Sequence, residues 1–389
     1  MKIAGIIAEY NPFHSGHAHH IAETRRRTGC DYVVVCLDGA FSQRGEAACL
    51  DLHTRVRMAL TGGADAVFLL PAIHAVRTAD VFARGGTAIL GGLGCDCLSF
   101  GSETEDMQLL CRLAELRENE PEAVSVAVQQ KLALGMSHAR ARGEALAEAL
   151  NVSPEILGAP NAILGAEYIR AIRSLHLSME PVAVPRIGSY HDTTLDATFA
   201  SASAIRAAMQ RDLASAAAYV PEALRSYILD APAMHAPDDL LLHRLRSMTE
   251  AEISALPDVC EGLERRIKAC ARDAGSCAAL LEAAKCKRYT HARLTRLCAH
   301  ALLDLTNALA NRHPLPEYAF LLGMRDSARP LLAELSVRST LPLRSNAAEL
   351  AEDEVFQLEC RAADLRALLC SDPDQRRAGR MFTEKFIRI

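Results

Sequence analysis

Tryptophan is absent from this chain, and aromatic residues make up only 5% of it. The core is not starved for that reason: 50% of the 389 residues are hydrophobic, which excludes a disordered chain and leaves room for two or perhaps three domains. No apolar run reaches the roughly 18 residues a membrane span needs. Met1-Lys2 leads into a short apolar stretch before Glu9, so neither a signal peptide nor a membrane partner is expected, and the location is expected to be cytoplasmic. Also missing is any C-x-x-C pair. The 13 cysteines are odd in number and sit mostly inside apolar periodic segments, as reduced core thiols do; no disulfide framework and no metal site is expected from them. A net charge of −5 excludes global attraction to nucleic acid, so any RNA surface must be a local patch. There is no internal repeat, low-complexity tract or long linker.

What is there begins at once. Ile3 to Ala8 reads as a buried parallel strand, Asn11-Pro12 as the turn that ends it, and His14-Ser15-Gly16-His17 falls where a helix starts. Free backbone N–H groups and the positive end of a helix dipole converge at such a point, which suits a nucleotide phosphate. The two His add donors without bulk, and Gly16 permits close approach to the backbone.

Further along, strands and helices alternate. Asp31 to Cys36 is a second strand, followed by the polar loop Leu37 to Glu46 at its carboxyl end, where open α/β sheets place ligands. Residues 53–60 are helical, 65–71 form a third strand, about 79–90 a helix, and 97–103 a fourth strand and its exit. This pattern predicts a doubly wound parallel sheet of five strands, the fifth being 180–188 with Arg186 at the ligand edge. Residues 106–151 read as a helical insertion on one flank, its His138, Arg140 and Arg142 forming a solvated face, with RNA contact as the alternative. Asn161 heads another helix, ordinarily as a cap. Ser201, Ser203 and Arg206 head the last one as a phosphate nest, with simple N-capping by Ser201 or Ser203 as the alternative. Beyond Pro221 the pattern turns to amphipathic helices, giving expected domains at 1–215 and 216–389. Lys285, Lys287, Arg288, Arg293 and Arg296 set cations at helical spacing beside Tyr289, as a surface that tracks phosphates requires. A short sheet is expected near 337–342, and no chemistry attaches to residues after Pro314.

The string Glu9-Tyr10-Asn11-Pro12-Phe13-His14-Ser15-Gly16-His17 resembles the bacterial tRNA-Met cytidine acetate ligase family, within the nucleotidyltransferase superfamily that carries H-x-G-H. The resemblance extends to Gly39, Phe41, Gln43, Arg44, Gly45 and Glu46, to the Ser-Phe-Gly-Ser-Glu string ending at Glu103, to Pro160-Asn161 and its helix, and to the basic string from Lys285. It implies a HIGH-type nucleotidyltransferase domain and a mainly helical tRNA-binding domain. It further implies a two-step ligase that forms acetyl-adenylate from ATP and acetate, then acetylates the wobble cytidine of elongator methionine tRNA, with magnesium accompanying the ATP. The implied catalytic residues are His14 and His17. ATP would lie on Ile7, Ala8, Glu9, Tyr10, Asn11, Pro12, Phe13, His14, Ser15, Gly16, His17, Ala18, His19 and His20, with Gly101, Asn161, Arg186 and Ile187, and its outer phosphates on Ser201, Ser203 and Arg206. Two departures stand out: Ala40 replaces the family's Asn, and Leu52 replaces its usual Lys, which leaves Arg44 and Arg55 as the cations for phosphate or carboxylate. Two alternatives stay open, a small-molecule nucleotidyltransferase acting on a cofactor precursor and a non-catalytic nucleotide- and RNA-binding relative.

Overall fold

The computed structural model describes the chain except residues 137, 154–158, 187–199 and 261, and the side chains of residues 138 and 139. It opens with strand β1 (Ile3–Ala8), helix α1 (Ser15–Thr28), β2 (Tyr32–Asp38), α2 (Leu52–Thr61), β3 (Ala66–Leu70), α3 (Ala72–Ala75), α4 (Ala79–Gly92) and β4 (Cys97–Ser102). After the helices that cover residues 107–150 and the helix Pro160–Ser174 comes β5 (Glu180–Pro185). These five strands pair in parallel in the order β5-β4-β1-β2-β3. The order reverses between β1 and β4, so the crevice for a ligand opens at the carboxyl ends of those two strands.

The sheet does not stop at five strands. A sixth, β6 (Ala319–Met324), pairs antiparallel with β3, and β7 (Leu343–Arg344) and β8 (Ile387–Arg388) both pair with β6. The five expected parallel strands are all present, and these three additions extend the sheet to eight. All of β3 is buried, and an open edge there would leave backbone donors and acceptors unpaired; the buried run Ala319 to Met324 closes it. The expected sheet at 337–342 falls instead on the end of the helix Arg329–Arg338 and the loop before β7.

Alternate residues of each strand feed two cores, one per face. Ile3, Val34, Phe68 and Leu98 pack with α4 and with the helices of 107–172. Ala4, Ile6, Val33, Val35 and Val67 pack with α1, α2, Ile205, Phe320 and Phe356. Covering both faces is what lets these strands be apolar throughout. A third core, from Leu241 to Ala301, belongs to a group of short helices between the two sheet-forming parts of the chain. A fourth joins Phe41, Ile73 and Val76 to Leu303, Leu305 and Leu358, fastening those helices to the sheet's carboxyl edge. In the flank of 107–150, Arg140 pairs with Glu144 and Arg142 with Glu120. All 13 cysteines are free thiols. Among the described residues, no helix is long and apolar enough to cross a membrane.

Candidate functional site

At the end of β1 the chain turns through Tyr10, which takes a left-handed φ of 43°, and a cis Asn11-Pro12 bond, then enters α1 with His14 as its N-cap. The two histidines close a reciprocal cap. His14 Nδ1 accepts from Gly16 N at 3.1 Å, His17 Nδ1 accepts from His14 N at 3.2 Å, and the rings stack 3.8 Å apart. An acceptor nitrogen carries no proton, so each neutral ring must hold its proton on Nε2. Burial, with the charge of Arg186 adding to it, pushes His14 down to about 3, and His17 is driven well below its ordinary range. The pair therefore stays neutral near pH 7 and offers two N–H donors at a helix N-terminus.

His20 is fixed by a similar chain. Thr24 Oγ1 donates to the His20 carbonyl, so Ser99 must donate to Thr24 at 2.6 Å, and His20 Nε2 must donate to Ser99 at 3.1 Å. Burial pushes this ring down to about 4.

Not every residue of the expected nucleotide loop faces one space. Ile7, Ala8, Glu9, Tyr10, Asn11, His14, Gly16, His17, His19 and His20 line a single cavity of about 420 Å³. Pro12, Phe13, Ser15 and Ala18 do not: Phe13 is a core residue against which a side chain at Gly62 would collide, and Ser15 Oγ donates to the Tyr219 carbonyl.

From the rest of the fold, Gly101, Asn161, Arg186, Ser201, Ser203 and Arg206 reach the same cavity. A Cβ at Gly101 would come within 3.3 Å of Arg186, so the glycine lets that side chain lie across the strand end. Asn161 is not the helix cap expected of it. The N-cap is Ala159, and Glu103 serves instead, accepting from Ala162 N at 3.0 Å and from Asn161 Nδ2 at 2.6 Å, while Asn161 Oδ1 accepts from Arg186 at 3.2 Å. Glu103 was legible only as part of a strand-to-helix turn; its partner lies 58 residues away. Ser201 caps the helix Ala202–Met209, and Arg206 donates to the Asn11 carbonyl at 2.8 Å and pairs with Glu46 at 3.1 Å. Ile187 lies outside the described residues.

Gln43, Arg44 and Glu46 also line the cavity. Arg55 does not, which corrects its expected role. It is wholly buried, paired with Asp38 at 2.6 Å, and donates to the carbonyls of Glu9, Asp38 and Gly39, tying the ends of β1 and β2 together. Leu52 is equally remote. It packs beside Ala363, Arg366 and Met381 rather than at the cavity, so the missing Lys leaves no gap there.

The basic residues of the helical region divide. Arg296 is buried and paired with Asp258 at 3.2 Å; Arg293 donates to the Asp258 carbonyl and lies over the Tyr289 ring. Lys285, Lys287 and Arg288 are exposed, with Lys287 donating to the Gly135 carbonyl.

A strand ending in a histidine-capped helix, at the reversal point of a parallel sheet, defines a nucleotidyltransferase-type nucleotide site. The chain matches the family model described as HIGH Nucleotidyl Transferase over residues 1–380. It is 36% identical to the tRNA(Met) cytidine acetate ligase of Anoxybacillus flavithermus, covering 97% of this chain and 98% of that one, and 33% identical to the one from Acetivibrio thermocellus over the whole of both. The chain belongs to the tRNA(Met) cytidine acetate ligase family. Its fold is similar to that of Thermotoga maritima TmcAL in the apo form, at a TM-score of 0.92, and to the same protein bound with alpha-thio ATP, at 0.89; each is 27% identical and covers 100% of both chains.

Proposed function

We propose that this chain is an ATP-dependent ligase. It joins acetate to the α-phosphate of ATP, releasing pyrophosphate, and passes the acetyl group to the exocyclic amine of the wobble cytidine in elongator methionine tRNA. The observation that carries the reading is the pair of neutral histidines presenting Nε2–H groups at a helix N-terminus, in a cavity whose other walls supply Arg186 and Arg206.

The nucleophile of each step comes from a substrate, so the protein's task is to orient them and to stabilise developing negative charge. His14 and His17 donate to the phosphates as pyrophosphate leaves. Arg186 and Asn161, held by Glu103, face the adenosine half beside Gly101, with Ile187 expected next to them. Ser201, Ser203 and Arg206 take the outer phosphates, which requires Arg206 to exchange Glu46 for the ligand. Magnesium ordinarily rides on nucleotide phosphates and water. Among the described residues no group of three His, Cys, Asp or Glu is arranged for a metal ion, so no residue is assigned to it and no step passes through it.

We assign tRNA to the helical region and its exposed Lys285, Lys287 and Arg288, within the second part of the chain, 216–389; Arg293 and Arg296 support that surface from beneath. Such a substrate places the protein in the cytoplasm. Exchange of labelled pyrophosphate into ATP tests the first step: it should depend on acetate, and exchange that ignores acetate would contradict the reading.

A further inference from the structure

The cavity has two halves. Gly101, Asn161 and Arg186 follow β4 and β5, and α1 supplies the phosphate donors; on the other side of β1, Gln43 and Arg44 follow β2 while Ala79 and Phe82 follow β3. If adenosine and pyrophosphate occupy the first half, as the proposed function has it, the acyl group and the incoming amine meet in the second. The amine of cytosine is a weak nucleophile. Once its nitrogen has attacked a carbonyl the N–H becomes strongly acidic, so a group that accepts the proton is needed beside it.

The cavity offers few acceptors. His14 and His17 are excluded, because each has its Nδ1 occupied by a backbone N–H and turns a protonated nitrogen outward. Glu46 stands beside Arg206, on the side assigned to the outer phosphates. Glu9 remains. It stands at the end of β1 between the halves, with Oε1 accepting from Gln43 N at 2.9 Å. Gln43 is itself anchored, its Nε2 donating to the Arg77 carbonyl at 2.6 Å.

We infer that Glu9 is the catalytic acceptor for the amine proton in the transfer step, resting on the ligase reading above. The amine nitrogen attacks the acetyl carbonyl carbon, the C–N bond forms, and the bond from that carbon to the phosphate oxygen breaks to release AMP. The proton lost by nitrogen passes to Glu9 and then to solvent. The loop that holds Glu9 also touches the helical region: a Cβ on Gly45 would lie 2.8 Å from Arg296 N, in the helix His291–Leu303. The base is thus steadied from the side assigned to tRNA.

The test supplies synthetic acetyl-adenylate and methionine tRNA to the full chain, so that the activation step is bypassed. Glu9→Gln keeps an oxygen for Gln43 N and should lower single-turnover transfer by about 10²–10⁴-fold. Glu9→Asp should recover part of it. Transfer by Glu9→Gln at the wild-type rate, or no recovery in Glu9→Asp, overturns the inference while leaving the ligase reading intact. A wild-type protein that cannot use acetyl-adenylate at all overturns both.

Discussion

Two regions of this molecule are rich in nitrogen side chains, and they spend them differently. At the cavity, capping bonds fix His14 and His17 by one nitrogen and leave the other for a ligand. In the helices between residues 238 and 303, cations are consumed internally: Arg266 donates to the carbonyls of Ala283 and Ala284, and Lys268 to those of Leu245, Arg246 and Met248. Both sets close helix C-termini whose last carbonyls would otherwise lack partners. A basic stretch is therefore weaker evidence for RNA than a short motif with fixed spacing is for phosphate, because short helices need cations for themselves.

The largest expected effect belongs to the cavity. His17→Ala removes one donor and should cost about 10²–10³ in acetate-dependent pyrophosphate exchange, roughly 2.7–4 kcal/mol; a near wild-type rate would take His17 out of the chemistry. Next, Leu52→Lys should lower stability by about 3 kcal/mol and leave exchange no faster, since it places an ammonium in a buried site away from the cavity. Denaturant unfolding checks the first part, and a rise in exchange would return this position to the nucleotide site. Within the helical region, Arg296→Ala strands Asp258 and should cost about 2 kcal/mol, whereas Arg288→Ala should move stability by no more than about 0.5 kcal/mol. Replacing Lys287 and Arg288 together should instead weaken tRNA binding and reduce its salt slope by about 0.7–0.9 for each tRNA phosphate that is no longer neutralised. Equal stability losses for Arg296 and Arg288 would erase the division drawn between them.

One further effect appears only in acid. His14 and His20 have folded-state values below the ordinary 6.5, so the unfolded chain takes up protons first as pH falls. Their contribution is complete above about pH 6.5 and drains away towards pH 4 and below. His14→Gln should flatten the decline of melting temperature over that window; an unchanged slope would mean the ring is not held neutral by the fold.

Much of this was legible in residues 1–206, where strand, turn and capped helix each leave a local signature. β1 to β5 follow from short strings read in order, and the resemblance those strings carry brings His14, His17, Gly101, Asn161, Arg186 and Arg206 together. What escaped depends on distant pairing. β6 is an apolar run with nothing local to say that it closes the edge of β3, and Arg366, which donates to the carbonyls of Ala48 and Cys49, has partners more than 300 residues away. Arg55 departs from expectation because a sequence does not say whether a guanidinium faces a ligand or a buried Asp38.

The central claim is that one chain couples acetate activation at the histidine-capped helix to acetylation of a tRNA cytidine. Mass spectrometry of nucleosides from methionine tRNA, incubated with the protein, ATP and acetate, tests it most directly. The expected result is N4-acetylcytidine that appears only when ATP and acetate are both supplied. Unmodified cytidine in a protein that binds ATP and tRNA normally would contradict it.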